Sequence, residues 1–203
     1  MKKNLLIFIA VMMIGAMAIG GCGGGLGDVS SGTLNPEQVV LQFINALKNL
    51  ELEEAKSYIS SGYSEEFSSD FEELVLAIEE EGPEADAMRE MFNAIFANSD
   101  FTVTGYTIDG DAALVNMEST VPDMDQLGEM LMGRLFEVMF SGEIDFENMT
   151  EEEEMMLFVD IFTEVIGEVE KTAATAEVPM VKEEGLWKID GSVVDDVMGE
   201  FDF

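Results

Sequence analysis

At Phe101 the spacing of apolar residues along this chain changes. Before it, Val40, Phe43, Ile44 and Leu47, and later Met88, Met91, Phe92, Ile95 and Phe96, recur every three or four positions, the repeat of a helix with one covered face. From Phe101 to Ile108 and from Ala112 to Val121 the period is two, in runs rich in Thr, Val and aromatic residues, as a half-buried strand requires. Helical spacing returns after Val121-Pro122-Asp123, alternation returns at Thr172, and a last helical pattern follows Gly191. A chain that switches period in this order builds neither a pure bundle nor a pure sandwich. It predicts an α+β domain: N-terminal helices packed on an antiparallel sheet of about four strands, with a helical insertion between two hairpins.

Local signals set the boundaries. Asn35-Pro36-Glu37-Gln38 reads as an N-cap, a proline at the first helical position and the return half of a capping box. A second helix is expected from Leu52 to Ser60 with Leu52, Ala55 and Ile59 on one face, then a turn from Ser61 to Ser64. Phe71, Leu74, Val75 and Ile78 mark a third helix that ends at Gly82-Pro83, where proline starts a fourth. Asp109-Gly110 is a hairpin turn signal. Leu127, Leu131, Leu135 and Val138 form the apolar side of the next helix, followed by a loop from Gly142 to Met149. Thr150-Glu151-Glu152-Glu153 is a second capping box, and the helix it opens has Phe158, Ile161, Phe162, Val165 and Val169 on one side. Strands are expected over Thr172–Lys182 and Leu186–Ile189 around Glu184-Gly185, with Pro179 forcing an edge or a bulge because it cannot donate to a ladder. A short helix with Val193, Val194, Val197 and Met198 ends the chain, so that 35–203 reads as one α+β domain.

The N-terminus has a different layout. Lys2 and Lys3 precede an apolar run from Leu5 to Ile19, and Ile19-Gly20-Gly21-Cys22 ends on the chain's one cysteine. This arrangement resembles bacterial lipoprotein signal peptides. The resemblance implies cleavage after Gly21, an acylated Cys22 as the first mature residue, and a membrane partner held through lipid on the extracytoplasmic face of the cell envelope. The run is short of the roughly 20 apolar residues a spanning helix needs, although an uncleaved anchor is the competing reading. A core role for Cys22 is disfavoured by Gly20, Gly21, Gly23, Gly24 and Gly25, which offer no side chains to pack around it. Residues 1–21 are thus the signal and 22–34 a small-residue tether reaching ~20 Å as a random coil.

Charge then limits the partners. The chain has 43 Asp and Glu against nine Lys and Arg; without residues 1–21 seven bases remain and the net charge is −36. Nucleic acid and anionic lipid surfaces would be repelled. With 47% hydrophobic residues and 14 Phe the chain is nonetheless far from the composition of disordered acidic segments, and about 170 residues suffice for a sizeable core. A host living at high salt would favour the same acidity.

Asn35-Pro36-Glu37 through Ala55-Lys56-Ser57-Tyr58 at the start, and Val181-Lys182-Glu183-Glu184-Gly185-Leu186-Trp187-Lys188-Ile189-Asp190 at the end, carry a second likeness. They resemble the opening helices and closing hairpin of exported domains with a nuclear transport factor 2-like, or cystatin-like, fold, as found in lipoproteins of the Bacillota. The insertion from Asp123 to Glu170 is long for that fold. The resemblance implies a concave sheet face, on which Trp187, Tyr106 and Phe101 would line an apolar pocket. From the residues themselves, Trp187 shares a face with Ile189 and reads first as core.

Catalytic chemistry finds little support. Histidine is absent, which removes the commonest general base and the triads built on it, and no catalytic residue is assigned. Asp123-Met124-Asp125-Gln126-Leu127-Gly128 begins like a calcium loop but has Leu127 at position five and Arg134 at position twelve. Zinc-type sites lack their ligands, and no metal or cofactor is implied. Met88 and Met91, Met130 and Met132, and Met155 and Met156 are close pairs, of which the first falls in a core stripe. The expectation is therefore a non-catalytic module binding a small molecule, a peptide or a basic protein. A carboxylate-only hydrolase and a methionine-based soft-metal or weak cation binder stay open as alternatives. Because salt screens self-repulsion among the excess acids, the melting temperature is expected to rise from low to high NaCl; a flat profile would show that the acids are compensated locally.

Overall fold

The computed structural model describes residues 34–63, 65–142 and 148–192. Gly21, Cys22, Val193, Val194, Val197 and Met198, and the side chain of Phe71, lie outside the described part. Among the described residues the architecture is α+β, six helices with a four-stranded antiparallel sheet of order β1-β2-β3-β4. The chain divides into two compact units: one holds the residues up to Val75, Phe101–Ser119 and those from Ala174 on, the other Leu76–Asp100 and Thr120–Ala173.

In the first unit, α1 (Pro36–Lys48) starts where the Asn35 side chain accepts from the Gln38 N–H and the Gln38 side chain accepts from the Asn35 N–H, a complete capping box. Its buried face is Val39, Val40, Phe43, Ile44 and Leu47, each worth roughly 1.5–3 kcal/mol when fully covered. It packs on α2 (Leu52–Ser57) and on β4 (Leu186–Ile189). The second helix is shorter than the apolar spacing suggests. Ile59 is buried as expected, but in an isolated parallel bridge to Ile189. Ser60 N–H donates to Ile189 O at 2.8 Å and Ile189 N–H to Tyr58 O at 2.8 Å, so the segment after α2 covers the outer edge of β4. An uncovered edge would invite pairing with other chains.

The hairpin of β1 (Asp100–Asp109) and β2 (Ala112–Pro122) turns through Gly110-Asp111, one residue later than the sequence suggests. Gly110 has φ of +64° and Asp111 has no positive φ, the pattern of a turn with glycine at its first central position. On β2 the core face is Ala113, Val115, Met117 and Ser119. β3 (Lys171–Glu183) continues unbroken through Pro179. Pro179 O accepts from Asp190 N–H at 2.9 Å, and in an antiparallel ladder a residue's N–H and C=O point to the same side. The missing N–H therefore points to where β4 has already ended at Ile189, a locally unpaired edge, as proline requires.

β3 and β4 pair with Met180 opposite Ile189 and Lys182 opposite Trp187. Their turn has positive φ at both central residues, Glu184 at +54° and Gly185 at +84°, the two-residue geometry whose twist matches that of the strands. Gly191 then passes so close to the chain at Ser60 that a Cβ would sit 2.7 Å from Ser60 O and 2.8 Å from Tyr63 N. Its N–H donates to Ser60 Oγ at 2.9 Å.

α3 (Glu65–Glu79) begins in the first unit and ends in the second, under Arg89, whose guanidinium donates to Ile78 O and, at 3.3 Å, to Glu80 O. α4 (Pro83–Ala97) buries Met91, Phe92, Ile95 and Phe96, while Met88 is half-covered. α5 (Met124–Ser141) is capped by Asp123, and α6 (Glu151–Glu168) by a full Thr150–Glu153 capping box. α6 packs on both α4 and α5, burying Val159, Ile161, Phe162, Val165 and Ile166. A non-glycine residue in the left-handed region costs roughly 1–2 kcal/mol, and asparagine tolerates it better. Glu184→Asn is accordingly expected to raise stability by about 1 kcal/mol in urea unfolding; an unchanged midpoint would mean that Glu184 bears no strain.

Candidate functional site

The aromatic residues singled out on the sheet do not meet. Phe101 and Tyr106 lie on β1 and Trp187 on β4, the two ends of the strand order, and three strand spacings separate those strands by about 14 Å. Trp187 is half-buried rather than enclosed, and the Lys182 ammonium sits 5.3 Å above its ring. Phe101 has the Lys48 ammonium at 5.4 Å. Each ring is thus engaged by a lysine of its own neighbourhood, in contacts worth about 0.5–1 kcal/mol at exposed sites. Tyr106 is half-buried.

The broken calcium loop is no loop at all. Asp123 is the N-cap of α5, its carboxylate accepting from the Gln126 N–H at 3.0 Å, and Leu127 is buried. Among the described residues no three Asp, Glu, His or Cys side chains stand close enough to hold a metal ion. A cleft of about 580 Å³ opens where α4 and α6 begin, lined by Glu80, Glu81, Glu84, Glu151, Glu152 and Met155 among others. The positive ends of two helices favour these carboxylates. At the neighbouring cap, hydrogen bonds from the Thr150 backbone and hydroxyl hold Glu153 below its ordinary carboxylate pKa. Stabilisation from that contact is present above the ordinary glutamate range and is lost as pH falls through the lowered value.

The least conventional surface is on α5. Leu127 is buried and Leu131, Leu135 and Val138 are half-covered, as the spacing suggests. A second apolar set lies on the opposite side: Met132, Phe136, Met139 and Phe140 are 53%, 49%, 55% and 81% exposed. Their spacing of four, three and one places them in one sector of the helix. The Phe136 and Phe140 rings stack at 6.3 Å between centroids. Soluble chains expose single apolar residues routinely, whereas a contiguous group marks an interaction surface.

Charge around this stripe is uneven. Arg134 is turned toward α6, donating to Glu164 at 2.6 Å and to Glu137 at 3.1 Å. The hydrogen bond it donates to Glu137, followed by the charge of the Glu164 carboxylate, raises its pKa above the ordinary arginine value. Asp125 and Glu129 are exposed and fall in the same angular sector as the apolar group, one and two turns toward the N-terminus. The outward face therefore runs from two unpaired-in-sign acids into a methionine and phenylalanine patch, with no base in its sector. The leucine spacing points only to the inward side of α5. The available signal was the second stripe, apolar residues on both sides of a helix that is not buried all round.

No protein family and no curated protein matches this chain. Among solved structures it is similar to a candidate lipoprotein (ycdA) from Bacillus subtilis subsp. subtilis str. 168, at 15% identity and a TM-score of 0.49, over 81% of this chain. The match spans 53% of that chain, about half its length.

Exposed and core positions should separate in mutagenesis. Phe140→Ser is expected to change stability by no more than about 0.5 kcal/mol, whereas Ile166→Ala, at 1% exposure, should cost about 2–5 kcal/mol. Equal losses in thermal melts would show that the Phe140 ring is covered in solution.

Proposed function

We propose that this chain is a membrane-anchored lipoprotein of the extracytoplasmic face, whose folded part is a non-catalytic binding module of the cell envelope. The anchor reading rests on Lys2-Lys3, the apolar run from Leu5 to Ile19 and the Gly21-Cys22 junction, an order of features that matches a secretory signal with a lipidation site. Among the described residues no helix is long and apolar enough to cross a membrane.

The observation that supports binding is the exposed Met132, Phe136, Met139 and Phe140 stripe, since an uncovered apolar surface of this kind is costly to keep unless something docks on it. A reading without catalysis is favoured by the absence of histidine, the commonest general base. The opening helices and closing hairpin of the first unit are read as nuclear transport factor 2-like on the residues 35–58 and 181–190.

Cys22→Ser is expected to leave an uncleaved precursor that incorporates no acyl chain, read by mass spectrometry of the protein recovered from membranes. A mature N-terminus at another residue, free of lipid, would overturn the anchor assignment.

A further inference from the structure

We infer that the outward face of α5 docks a cationic amphipathic helix of a partner protein. The inference deepens the binding-module reading and rests on it. Two properties of the face define the occupant. Its C-terminal half offers Met132, Phe136, Met139 and Phe140, all about half exposed or more. Flexible thioethers beside rigid rings form an adaptable apolar seat, suited to the apolar stripe of a helix. Its N-terminal half presents Asp125 and Glu129 in the same sector, with exposed Glu137 on the flank. The neighbouring base, Arg134, is engaged by Glu137 and Glu164. A partner that covers the stripe must therefore bring its own positive charge.

Charge complementarity also separates this occupant from the others. A second copy brings no base to this face and carries the same −34, and like charges on two partners oppose association. An anionic lipid surface meets the same repulsion. A helix with Lys or Arg beside its apolar stripe satisfies both halves at once, and the net charge of the whole chain would speed its encounter. From Asp125 to Phe140 the face is about 22 Å long by helical rise, room for roughly 15 residues of partner helix.

The test uses the full chain held in zwitterionic lipid nanodiscs and two labelled peptides of roughly 15 residues, one a Leu/Lys amphipathic helix and one its Leu/Glu counterpart. Fluorescence anisotropy is expected to show binding of the Leu/Lys peptide alone. Phe136→Ser with Phe140→Ser should weaken it at least about tenfold, the size expected when central aromatic anchors are removed, with the melt unchanged. Asp125→Asn with Glu129→Gln should lower both the affinity and its dependence on salt, and this pair does not touch the apolar seat should the serine variant fold poorly. Wild-type affinity in the serine variant would overturn the inference, because it would reduce binding to general attraction by an acidic surface. So would equal binding of the Leu/Glu peptide, binding of the Leu/Lys peptide by empty nanodiscs alone, or a Met139→Cys disulfide between two copies that the Leu/Lys peptide does not prevent. Unchanged anisotropy with both peptides at every protein concentration would overturn this inference and leave the binding-module reading standing for other ligands, while failure of the lipid anchor would appear separately in the mass of the N-terminus.

Discussion

Like charge crowds this chain, and every element has to be held by apolar burial strong enough to outweigh the repulsion. With 43 acids against nine bases, ion pairs cannot supply that attraction; the surface pairs Lys56–Glu72, Arg89–Asp86 and Arg134–Glu164 belong to a class worth about 0–1 kcal/mol each. The weight falls on contiguous stripes. Val39, Val40, Phe43, Ile44 and Leu47 of α1 meet the strand that contains Ile189, and Val159, Ile161, Phe162, Val165 and Ile166 of α6 pack against α4 and α5. The few bases are placed where they act twice. Arg89 closes the carbonyl end of α3 while pairing with Asp86, and Lys182 lies over the Trp187 ring opposite it in the ladder. Acids in turn gather at helix starts, where Glu151, Glu152, Glu153 and Glu154 stand in the first turn of α6 and the dipole favours them.

Much of the fold was legible because local rules and tertiary packing agree here. Asn35 and Thr150 each cap a helix through the three-residue box their neighbours announce, and Glu184-Gly185 turns where its dipeptide says it should. Disagreements arose where a partner distant in sequence decided the outcome. Ile59 has helical spacing from Leu52 and Ala55, but Ile189 offers it a backbone bridge, and the helix stops at Ser57. Asp123 and Asp125 imitate ligands, yet the amide of Gln126 claims Asp123 as a cap. The hairpin turn moved by one residue because glycine occupies the first central position, Gly110, rather than the second.

The binding surface was less legible than the fold, for a definite reason. Periodicity identifies which side of a helix is apolar only when the other side is polar. In α5 the segment from Met130 to Phe140 has just two charged residues, Arg134 and Glu137, and both join the ion-pair group with Glu164. Two apolar sides were therefore present and nothing in the local pattern ranked them; only the position of α6 shows which is covered. The aromatic residues of the sheet illustrate the converse. Their chemistry suits a pocket lining, but strand order sets β1 and β4 at opposite ends, information that lies in pairing and not in residue type.

The bridge at Ile189 joins the two ends of the described chain. Gly191 donates to a serine 131 positions earlier, and Ser60 receives its backbone partner from Ile189. A ribosome makes residues 36–60 well before Leu186–Ile189, so the early helices must wait for the strand that α1 packs against. Closing so long a loop costs only about 0.6 kcal/mol for each doubling of its length, a modest sum at equilibrium. Its weight is in time, since distant pairings are slow to form. Until they do, the apolar side of α1 lies open, and the protein's most vulnerable moment is its birth.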